Sequence, residues 1–395
     1  MLKRLRVNNF KSLVNVEFRP AAVNLLIGPN NSGKTNLCAA MRFLGLTACG
    51  SLRDAIRESV RESWNITNVY SGSDLMEFEV DCSLPSKNGQ VDYRYSLEIA
   101  SRTSAPFGEQ YLEIGLEQLW RGQGVLLRRK GDRAQVAPEA FMEIQQAREV
   151  AELIDLPTSA KEEPDIRETL VSRLDDPGIA PFRSFLQSWA YYSLSPAALR
   201  SASVWRDESG LLSDGSNLCA TMFRLHNEKP RLERQIIEIV KALEPKLDLL
   251  TYSYPDPESV FMFMEDQQGN RFGVRSISDG TLRFMAMAYL ILAAAERGAN
   301  EPAPLIMIEE PENGLYVGHL KPLIERIEND GTGGQFVFTT HSPYFIDLFD
   351  SNLEGVHVMK PGVPSSILTK PEPDRIRKLL EDMPLGELHF REMLA

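Results

Sequence analysis

The sequence predicts an α/β fold in which a mixed central sheet carries an attached antiparallel β-lobe and a helical insertion. A strand-like run at 23–27 leads into a glycine-bounded loop and then into a helical stretch. Residues 75–137 contain several β-rich runs that are separated by polar turns, as at 86–89. Residues 139–194 then carry the apolar periodicity that is typical of helices. These three observations indicate one large head with inserted elements.

The whole chain, residues 1–395, is expected to form this single head, with two lobes around the insertion. Lobe I, at 1–138, contains the glycine-bounded loop and the β-lobe. The helical insertion is placed at 139–200. Lobe II, at 201–395, contains the second half of the predicted site.

The helical insertion is predicted from its apolar positions. One helical face is formed by Phe141, Ile144, Ala151 and Ile154, and further helices are predicted at 166–174 and 182–194. None of these patterns sustains heptads over three or four repeats. We therefore expect no long coiled-coil arm.

The composition is ordinary for a soluble globular protein, with 43% hydrophobic and 25% charged residues. Four widely spaced cysteines argue against a zinc site or a disulfide framework. The start of the chain is too charged for a secretory signal. The longest apolar run, at 284–295, is too short to cross a bilayer. We therefore expect a cytoplasmic protein with no membrane partner.

The formal net charge of −12, from 43 basic and 55 acidic residues, argues against an extensive nucleic-acid-binding surface. Basic residues nevertheless cluster at 3–11 and at 121–133. Either cluster could contact DNA or another nucleic acid, and the alternative is a solvated face of an exposed strand. A local nucleic-acid contact therefore stays open.

The loop GPNNSGKT at 28–35 has the spacing of a phosphate-binding loop. It follows an apolar strand and opens a helix, so its backbone N–H groups and the helix dipole can surround a polyphosphate. Lys34 is predicted to reach the β- and γ-phosphates, and the Thr35 hydroxyl to bind Mg²⁺. The alternative is an ordinary glycine turn. The pattern predicts that the chain binds a nucleoside triphosphate.

Four apolar residues at 305–308 precede the carboxylates Glu309 and Glu310. This order is typical of a buried parallel strand that delivers acids to its C-terminal edge, where ligands bind. One carboxylate there can hold a phosphate-bound Mg²⁺, and a second can accept a proton from attacking water. We assign Glu309 to the metal and Glu310 to the general base. The alternative is an exposed acidic turn after a core strand.

The motif SISDGTLR at 276–283 opens an apolar helix, where a serine hydroxyl and free N–H groups can bind an anion. This second anion site needs its own phosphate. Two-fold pairing supplies one if residues 278–281 of each copy cap the nucleotide held by the other. The alternative is a plain helix cap.

His341 follows the β-rich run at 336–340. At the C-terminal edge of a sheet, its imidazole could hydrogen-bond the γ-phosphate or the attacking water. A structural histidine is the alternative. We predict a phosphate-sensing role.

Together these motifs resemble the ABC-type ATPase head of the RecF/OLD/SMC-like branch. The segments that carry the resemblance are NFKS at 9–12, EEPENGL at 309–315, ISDGT at 277–281 and THSP at 340–343. The resemblance implies a P-loop NTPase fold, ATP and Mg²⁺ as ligands, and a homodimer with ATP at the interface. It also implies ATP hydrolysis that reopens the dimer. Lys11 and Ser12 are implied to touch the nucleotide, and Asn313 to lie in a loop that crosses the interface.

The predicted site therefore contains three groups of residues. The catalytic residues are Lys34, Glu310 and His341. The metal ligands are Thr35 and Glu309. The nucleotide-binding residues are Lys11, Ser12, Asn30, Asn31, Ser32, Gly33, Lys34, Thr35, Asn36, Ser278, Asp279, Gly280 and Asn313. Glu309 stands where most relatives of the wider superfamily have aspartate, and Gln118 is a candidate for the glutamine loop.

The resemblance favours an ATP-hydrolysing switch in DNA maintenance or anti-phage defence. OLD-type nucleases carry a Toprim nuclease module after the ATPase, whereas the segment 342–395 is too short for one and contains no D-x-D motif. A separately encoded effector, such as a Toprim-like nuclease, is therefore the expected partner. The alternatives are an ATP-dependent dimer lock without catalysis and the ATPase subunit of a membrane transporter. The paired Glu309 and Glu310 argue against the first, and the absence of an LSGGQ segment opening the signature helix argues against the second.

Overall fold

The computed structural model describes residues 1–60, 66–87, 89–103, 110–130, 133–136, 154–155, 167–201, 203–204, 210–256, 259–298, 301–330 and 333–394. The strands are β1 Leu2–Asn8, β2 Val16–Phe18, β3 Val23–Ile27, β4 Leu75–Ser86, β5 Gly89–Thr103, β6 Gln110–Arg121, β7 Gly124–Lys130, β8 Arg133–Val136, β9 Ile154–Asp155, β10 Ala190–Tyr192, β11 Ser203–Val204, β12 Leu247–Asp256, β13 Ser259–Asp266, β14 Arg271–Gly273, β15 Leu305–Glu309, β16 Gln335–Thr339, β17 Val356–Lys360 and β18 Ile367–Thr369. The helices are α1 Lys34–Thr47, α2 Leu52–Ser59, α3 Leu170–Arg173, α4 Ala180–Gln187, α5 Pro196–Leu199, α6 Leu218–Glu228, α7 Pro230–Val240, α8 Asp279–Ala295, α9 Lys321–Asp330, α10 Pro343–Ile346, α11 Pro373–Leu379 and α12 Leu385–Phe390.

The central sheet has six strands in the order β10–β15–β16–β3–β17–β18. The first five are parallel, and β18 runs antiparallel to β17, so the sheet is mixed as predicted. Glu309 pairs with Thr339, and Thr339 pairs with Leu26. The strands that precede the phosphate loop, the two glutamates and His341 therefore end at one edge of the sheet.

Two hydrophobic cores cover the two faces of this sheet. In β3, Leu25 packs into one core and Leu26 into the other, and both are fully buried. Because both faces are covered, these parallel strands are continuous apolar runs rather than alternating ones. Helix α1 lies in one core and the apolar helix α8 in the other. Among the described helices, none has both the length and the apolar character needed to span a membrane.

A second sheet of eight strands has the order β2–β1–β4–β5–β6–β7–β8–β9 and is antiparallel throughout. The basic residues at the start of the chain form ion pairs with acids of β4 and β5 in this sheet. The ion pairs are Lys3–Asp92 at 2.6 Å, Arg4–Asp81 at 2.7 Å and Arg6–Glu79 at 3.0 Å. The charges of these three basic residues are therefore locally compensated.

The second basic cluster contains a buried charge. Arg129 in β7 is fully buried, lies opposite Glu117 of β6, and donates a hydrogen bond to the carbonyl of Glu168 at 2.9 Å. Glu117 is also fully buried and accepts hydrogen bonds from the backbone N–H groups of Leu170 and Val171, at 2.7 and 3.1 Å. Burial raises the pKa of Glu117, and the Arg129 charge opposes that rise. This pair ties the start of α3 to the eight-stranded sheet.

The segment predicted as a helical insertion differs from that prediction where it is described. Ile154 lies in the short strand β9, which pairs with β8, rather than in a helix. The predicted helix at 182–194 ends at Gln187, and Ala190–Tyr192 form the edge strand β10 of the central sheet. Residues 190–192 form a strand because β15 offers them backbone hydrogen-bond partners. Two adjacent tyrosines favour a strand when such a partner is present. The remaining residues of the first predicted helix, 141–153, lie outside the described residues.

The buried Arg129–Glu117 pair predicts a large stability effect. Arg129→Ala leaves the Glu117 carboxylate buried without its counter-charge, which should lower the free energy of unfolding by about 3–5 kcal/mol. The neighbouring exposed Arg128 provides the control, and Arg128→Ala should change stability by no more than about 0.5 kcal/mol. Urea unfolding followed by circular dichroism measures both. Equal effects of the two substitutions would show that the pair does not stabilise the fold.

Candidate functional site

The candidate site begins at the loop between β3 and α1. Two glycines in this loop have positive φ angles, 149° at Gly28 and 103° at Gly33. A Cβ atom at Gly28 would lie 2.1 Å from the carbonyl oxygen of Met359, and one at Gly33 would lie 2.4 Å from Ser366 Oγ. Both positions therefore require glycine for conformational and steric reasons. The two glycines of the motif therefore let the loop pack tightly against Met359 and Ser366, which lie far along the chain.

Lys34 is held inside this loop. Its ammonium donates hydrogen bonds to the carbonyl oxygens of Gly28 at 2.7 Å and Pro29 at 3.1 Å, and the residue is only 6% exposed. Burial lowers the pKa of Lys34 to about 8, and the charges of Glu310 and Glu309 oppose that shift. The buried Ser32 hydroxyl has no hydrogen-bond partner within the described residues. An anion in the loop would meet a desolvated cation and an unpartnered polar group, as a phosphate site requires.

Thr35 and Glu309 meet at the end of β15. The Thr35 hydroxyl donates a hydrogen bond to Glu309 Oε1 at 3.2 Å, and the Tyr191 hydroxyl donates one to Glu309 Oε2 at 2.5 Å. Burial and the contact with Glu309 raise the pKa of Tyr191, so the phenol keeps its proton and remains a donor. Both carboxylate oxygens are thereby fixed beside the loop. A hydroxyl and a carboxylate in contact form a hard oxygen donor set that suits Mg²⁺.

Glu310 follows the last residue of β15, and its backbone lies in the left-handed region, with a φ angle of 45°. A non-glycine residue in this conformation costs about 1–3 kcal/mol, which the surrounding contacts must offset. Its N–H donates a hydrogen bond to the carbonyl of Thr339 at 2.9 Å, and Asn313 Nδ2 donates one to its Oε2 at 2.5 Å. His341 Nε2 lies 3.9 Å from Glu310 Oε1. The structure thus brings Glu310, Asn313 and His341 together.

Glu312 fixes the turn that carries His341. The Thr340 hydroxyl donates a hydrogen bond to Glu312 Oε1, and the Ser342 N–H donates one to Thr340 Oγ1 at 2.9 Å. Glu312 is buried, and that burial raises its pKa. Burial lowers the pKa of His341, and the nearby Lys34 charge lowers it further. The imidazole is therefore biased towards its neutral form.

The segment at 9–12 is anchored by its aromatic residue. The buried Phe10 ring lies 5.9 Å from that of Phe43 and 5.8 Å from that of Phe78, measured between centroids. This anchor places Ser12 against the phosphate loop, where its hydroxyl accepts a hydrogen bond from Asn36 Nδ2 at 2.8 Å. Lys11 is held by its backbone N–H, which donates to the carbonyl of Ile66 at 2.7 Å.

The C-terminal part of the chain completes the wall of this loop. Ser366 Oγ donates a hydrogen bond to Ser12 Oγ at 2.8 Å, and the Ser366 N–H donates one to the Ser12 carbonyl at 2.8 Å. Asn30 and Asn31 lie at the exposed tip of the loop. The structure therefore places Ser12 and Ser366 against the loop that carries the first motif.

A second cluster forms at the N-terminus of α8. Ser278 caps the helix, with its hydroxyl accepting a hydrogen bond from the Thr281 N–H at 3.0 Å. The Asp279 carboxylate accepts hydrogen bonds from Arg200 at 2.8 and 2.5 Å. A Cβ atom at Gly280 would lie 2.5 Å from the carbonyl oxygen of Gly314. Glycine at 280 thus allows the start of α8 to pack directly on the loop that follows Glu310.

Arg283 reinforces this packing. Its guanidinium donates hydrogen bonds to the carbonyl of Asn313 and, at 2.7 Å, to that of Leu194. Asn313 therefore contacts Glu310 through its side chain and α8 through its carbonyl. The second cluster and the Glu310 cluster are joined through this one residue.

Several residues of the site were not singled out by the sequence analysis. Tyr191 and Ser366 lie far along the chain from the motifs that they contact, and only sheet pairing brings them there. Glu312 was visible as the last acid of the EEPE segment. Gln118 lies in the middle of β6, paired with Ser96 and Arg128, and this strand position offers no support for the glutamine-loop prediction.

Comparisons with known proteins cover most of the chain. Residues 23–347 match the family described as "AAA domain, putative AbiEii toxin, Type IV TA system". No curated protein matches the chain. Among solved structures, an SMC head bound to the C-terminal winged-helix domain of ScpA has a TM-score of 0.52 and 12% identity, covering 95% of this chain and 99% of its own. This similarity confirms the predicted P-loop NTPase fold of the SMC-head type.

Two other SMC heads are similar at lower scores. An SMC head with an extended coiled coil bound to the C-terminal domain of ScpA, derived from Pyrococcus furiosus, has a TM-score of 0.49 and 12% identity, covering 96% of this chain and 98% of its own. The SMC head domain from Thermotoga maritima has a TM-score of 0.44 and 12% identity, covering 94% of this chain and 99% of its own.

The steric requirement at Gly33 predicts the effect of a single methyl group. Gly33→Ala combines an unfavourable φ with contacts below 3.0 Å to Ser366 and Ser12, so the loop must shift. Gly72 also has a positive φ, 63°, but a Cβ atom there would meet nothing within 4 Å. We expect Gly33→Ala to lower the melting temperature more than the control Gly72→Ala, by about 1 °C for each kcal/mol of stability that is lost, because the entropy of unfolding of a 395-residue chain is large. Differential scanning calorimetry measures both, and equal melting temperatures would contradict the steric argument.

Proposed function

The chain belongs to the family described as AAA domain, putative AbiEii toxin, Type IV TA system, and from this premise we propose that it is an ATP-hydrolysing switch that dimerises around ATP. AAA domains and SMC heads are in general ATPases. One observation carries the proposal. The phosphate loop, the Thr35–Glu309 contact and the Glu310–His341 pair converge at the C-terminal edge of one parallel sheet.

We assign ATP binding to the phosphate loop, to the start of α1 and to the segment that carries Lys11 and Ser12. Lys34 would exchange its two carbonyl partners for β- and γ-phosphate oxygens, which repays the desolvation of its ammonium. The loop from Asn30 to Gly33 and the start of α1, with Thr35 and Asn36, would surround the phosphates. Ser12 and Lys11 would contact the nucleotide from the anchored segment.

Mg²⁺ is assigned to Thr35 and Glu309, whose contact provides the oxygen donor set. A bound Mg²⁺ would neutralise charge on the phosphates. Tyr191 would hold the Glu309 carboxylate in place, because its hydroxyl occupies the second carboxylate oxygen. The extra methylene of glutamate relative to aspartate is thereby compensated by a fixed orientation.

Proton transfer is assigned to Glu310. A carboxylate can take a proton from the water that attacks the γ-phosphate when it is aimed at the water by its neighbours. Asn313 and the left-handed backbone at Glu310 would supply this aim. His341 would donate a hydrogen bond to the γ-phosphate or orient the attacking water.

Dimerisation is supported by the second cluster and by exposed aromatic residues. Ser278, Asp279 and Gly280 form a helix start that would cap the ATP held by a second copy, and Asn313 lies beside them. Two tyrosines close to the site are largely exposed, Tyr316 at 75% and Tyr344 at 74%. Large exposed apolar groups of this kind are typical of protein contacts. A homodimer with ATP at its interface would bury them.

The biological role that we propose is DNA maintenance or anti-phage defence through a separately encoded effector, such as a Toprim-like nuclease. The family description as part of a toxin–antitoxin system supports a role alongside a second gene product. The ion pairs of Lys3, Arg4 and Arg6 compensate the charges of these residues locally, so a DNA contact would use other basic residues.

Two substitutions separate hydrolysis from binding. Glu310→Gln keeps the shape of the side chain but removes the proton acceptor, so steady-state phosphate release should fall about 100-fold or more while ATP stays bound and the dimer persists. Lys34→Ala should instead abolish ATP binding. Phosphate release and size-exclusion chromatography with ATP and Mg²⁺ measure these outcomes. Wild-type hydrolysis by Glu310→Gln would refute the base assignment, and a wild-type protein that binds ATP without releasing phosphate would favour the non-catalytic lock.

The proposal that a separately encoded effector carries the nuclease chemistry predicts how the purified chain behaves. With ATP and Mg²⁺ or Mn²⁺, the protein alone should hydrolyse ATP slowly and leave supercoiled plasmid DNA uncut over hours. Agarose gels follow the plasmid, and the Lys34→Ala protein controls for contaminating nucleases. Metal-dependent cleavage by the wild type but not by this variant would contradict the assignment of nuclease chemistry to another protein.

A further inference from the structure

The segment at 278–281 contains an acid at the place where it is proposed to meet a triphosphate. Asp279 is the first residue of α8, follows the capping residue Ser278, and has a side chain that is 51% exposed. The other acid that contacts this segment, Glu244, instead accepts a hydrogen bond from the buried Thr281 hydroxyl at 2.9 Å. In the proposed dimer, the start of α8 faces the terminal phosphates held by the other copy. The Asp279 carboxylate would repel those phosphates unless its charge is compensated.

Arg200 supplies the compensating charge. It follows helix α5, and its Nε and Nη2 atoms donate hydrogen bonds to Asp279 Oδ1, at 2.8 and 2.5 Å. Its Nη1 atom donates hydrogen bonds to the carbonyl oxygens of Val274 and Arg275, at 3.1 and 3.0 Å. One guanidinium thus pairs with the Asp279 carboxylate and also fixes the backbone turn that leads into α8.

The segment that carries Arg200 is tied to α8 at two points. The carbonyl of Leu194 accepts a hydrogen bond from Arg283 of α8 at 2.7 Å, and Arg200 then binds Asp279 at the start of the same helix. Arg283 donates its other hydrogen bond to the carbonyl of Asn313, so within the described residues the ion pair of Asp279 is made by Arg200. An exposed ion pair usually loses much of its value to the entropy of two free side chains. The two links reduce that loss, because they hold the Arg200 guanidinium in place.

We propose that Arg200 is a positioning residue for the nucleotide of the other copy, which compensates the Asp279 charge and so lets Ser278 and the N-terminus of α8 approach the terminal phosphates. The proposal rests on the proposed function, because it presupposes a dimer around ATP. Among the described contacts of Arg200, none reaches the phosphate loop of its own protomer. Arg200 therefore serves dimer formation and not ATP binding within its own protomer.

Sedimentation velocity with the non-hydrolysable analogue AMP-PNP and Mg²⁺ tests this role. Arg200→Ala should raise the dissociation constant of the dimer about tenfold or more, because the Asp279 charge then faces the phosphates uncompensated. Binding of fluorescent N-methylanthraniloyl-ATP, measured at protein concentrations where the chain is monomeric, should equal that of the wild type. Thermal unfolding followed by circular dichroism shows whether the variant is folded.

A second substitution distinguishes charge compensation from a merely structural role. Adding Asp279→Asn to Arg200→Ala removes the uncompensated charge and should restore most of the lost dimerisation, although the turn before α8 still lacks its donor. Higher salt should also reduce the defect of Arg200→Ala relative to the wild type at the same salt, since ions screen the repulsion. The matched control Arg94→Ala removes another exposed arginine, which pairs with Asp81 at 3.1 Å in the eight-stranded sheet, and should leave dimerisation unchanged.

Wild-type dimerisation by Arg200→Ala would overturn the proposal, as would a defect that Asp279→Asn does not relieve, which indicates a structural role. If Arg200→Ala does not fold, Asp279→Asn alone decides the question. It should tighten the dimer, because the Arg200 charge then faces the phosphates unpaired, and an equal or weaker dimer would contradict the repulsion argument. If the wild type stays monomeric with AMP-PNP, the proposed dimer fails and the role of Arg200 fails with it, an outcome distinct from a failure at Arg200 alone.

Discussion

The register of three parallel strands is the constraint on which the site depends. Main-chain pairing of β3 with β16 and of β16 with β15 aligns Leu26, Thr339 and Glu309 across the sheet. Whatever follows each strand must then emerge at the same edge, because parallel strands end on the same side. The phosphate loop, the two glutamates and the histidine turn are therefore assembled by backbone hydrogen bonds. Two hydrophobic cores, one on each face, hold that pairing in place.

The site carries local costs that the rest of the fold offsets. The Lys34 ammonium is buried and hydrogen-bonded to two carbonyl oxygens. The backbone of Glu310 adopts a left-handed conformation. The buried Ser32 hydroxyl has no hydrogen-bond partner among the described residues. A bound anion would offset the cost of the buried ammonium and of the unpartnered hydroxyl, whereas the contacts around Glu310 offset its backbone strain. The concentration of these features at one edge is itself an argument for function. Elsewhere, the buried Arg129–Glu117 pair satisfies its polar groups within the chain.

Contacts between distant parts of the sequence give the site its walls. Tyr191 from the edge strand β10 fixes Glu309, and Ser366 near the end of the chain packs on Gly33 and Ser12. The packing of α12 on α10 adds a third such contact behind His341. These contacts bring residues that are far apart in the sequence against Glu309 and the loop at 28–35.

The sequence by itself determined the class of the fold and the strand–loop–helix order of the first motif. Short-range patterns are sufficient for this, because β3, the glycine loop and α1 are contiguous and an apolar run ending in Glu309 and Glu310 indicates a buried parallel strand. Tertiary structure alone decided that 190–192 form a strand and that Arg129 is buried. It also placed Ser366 on the loop. These features depend on hydrogen-bond partners and packing surfaces supplied by residues far away in the chain, which no local pattern records.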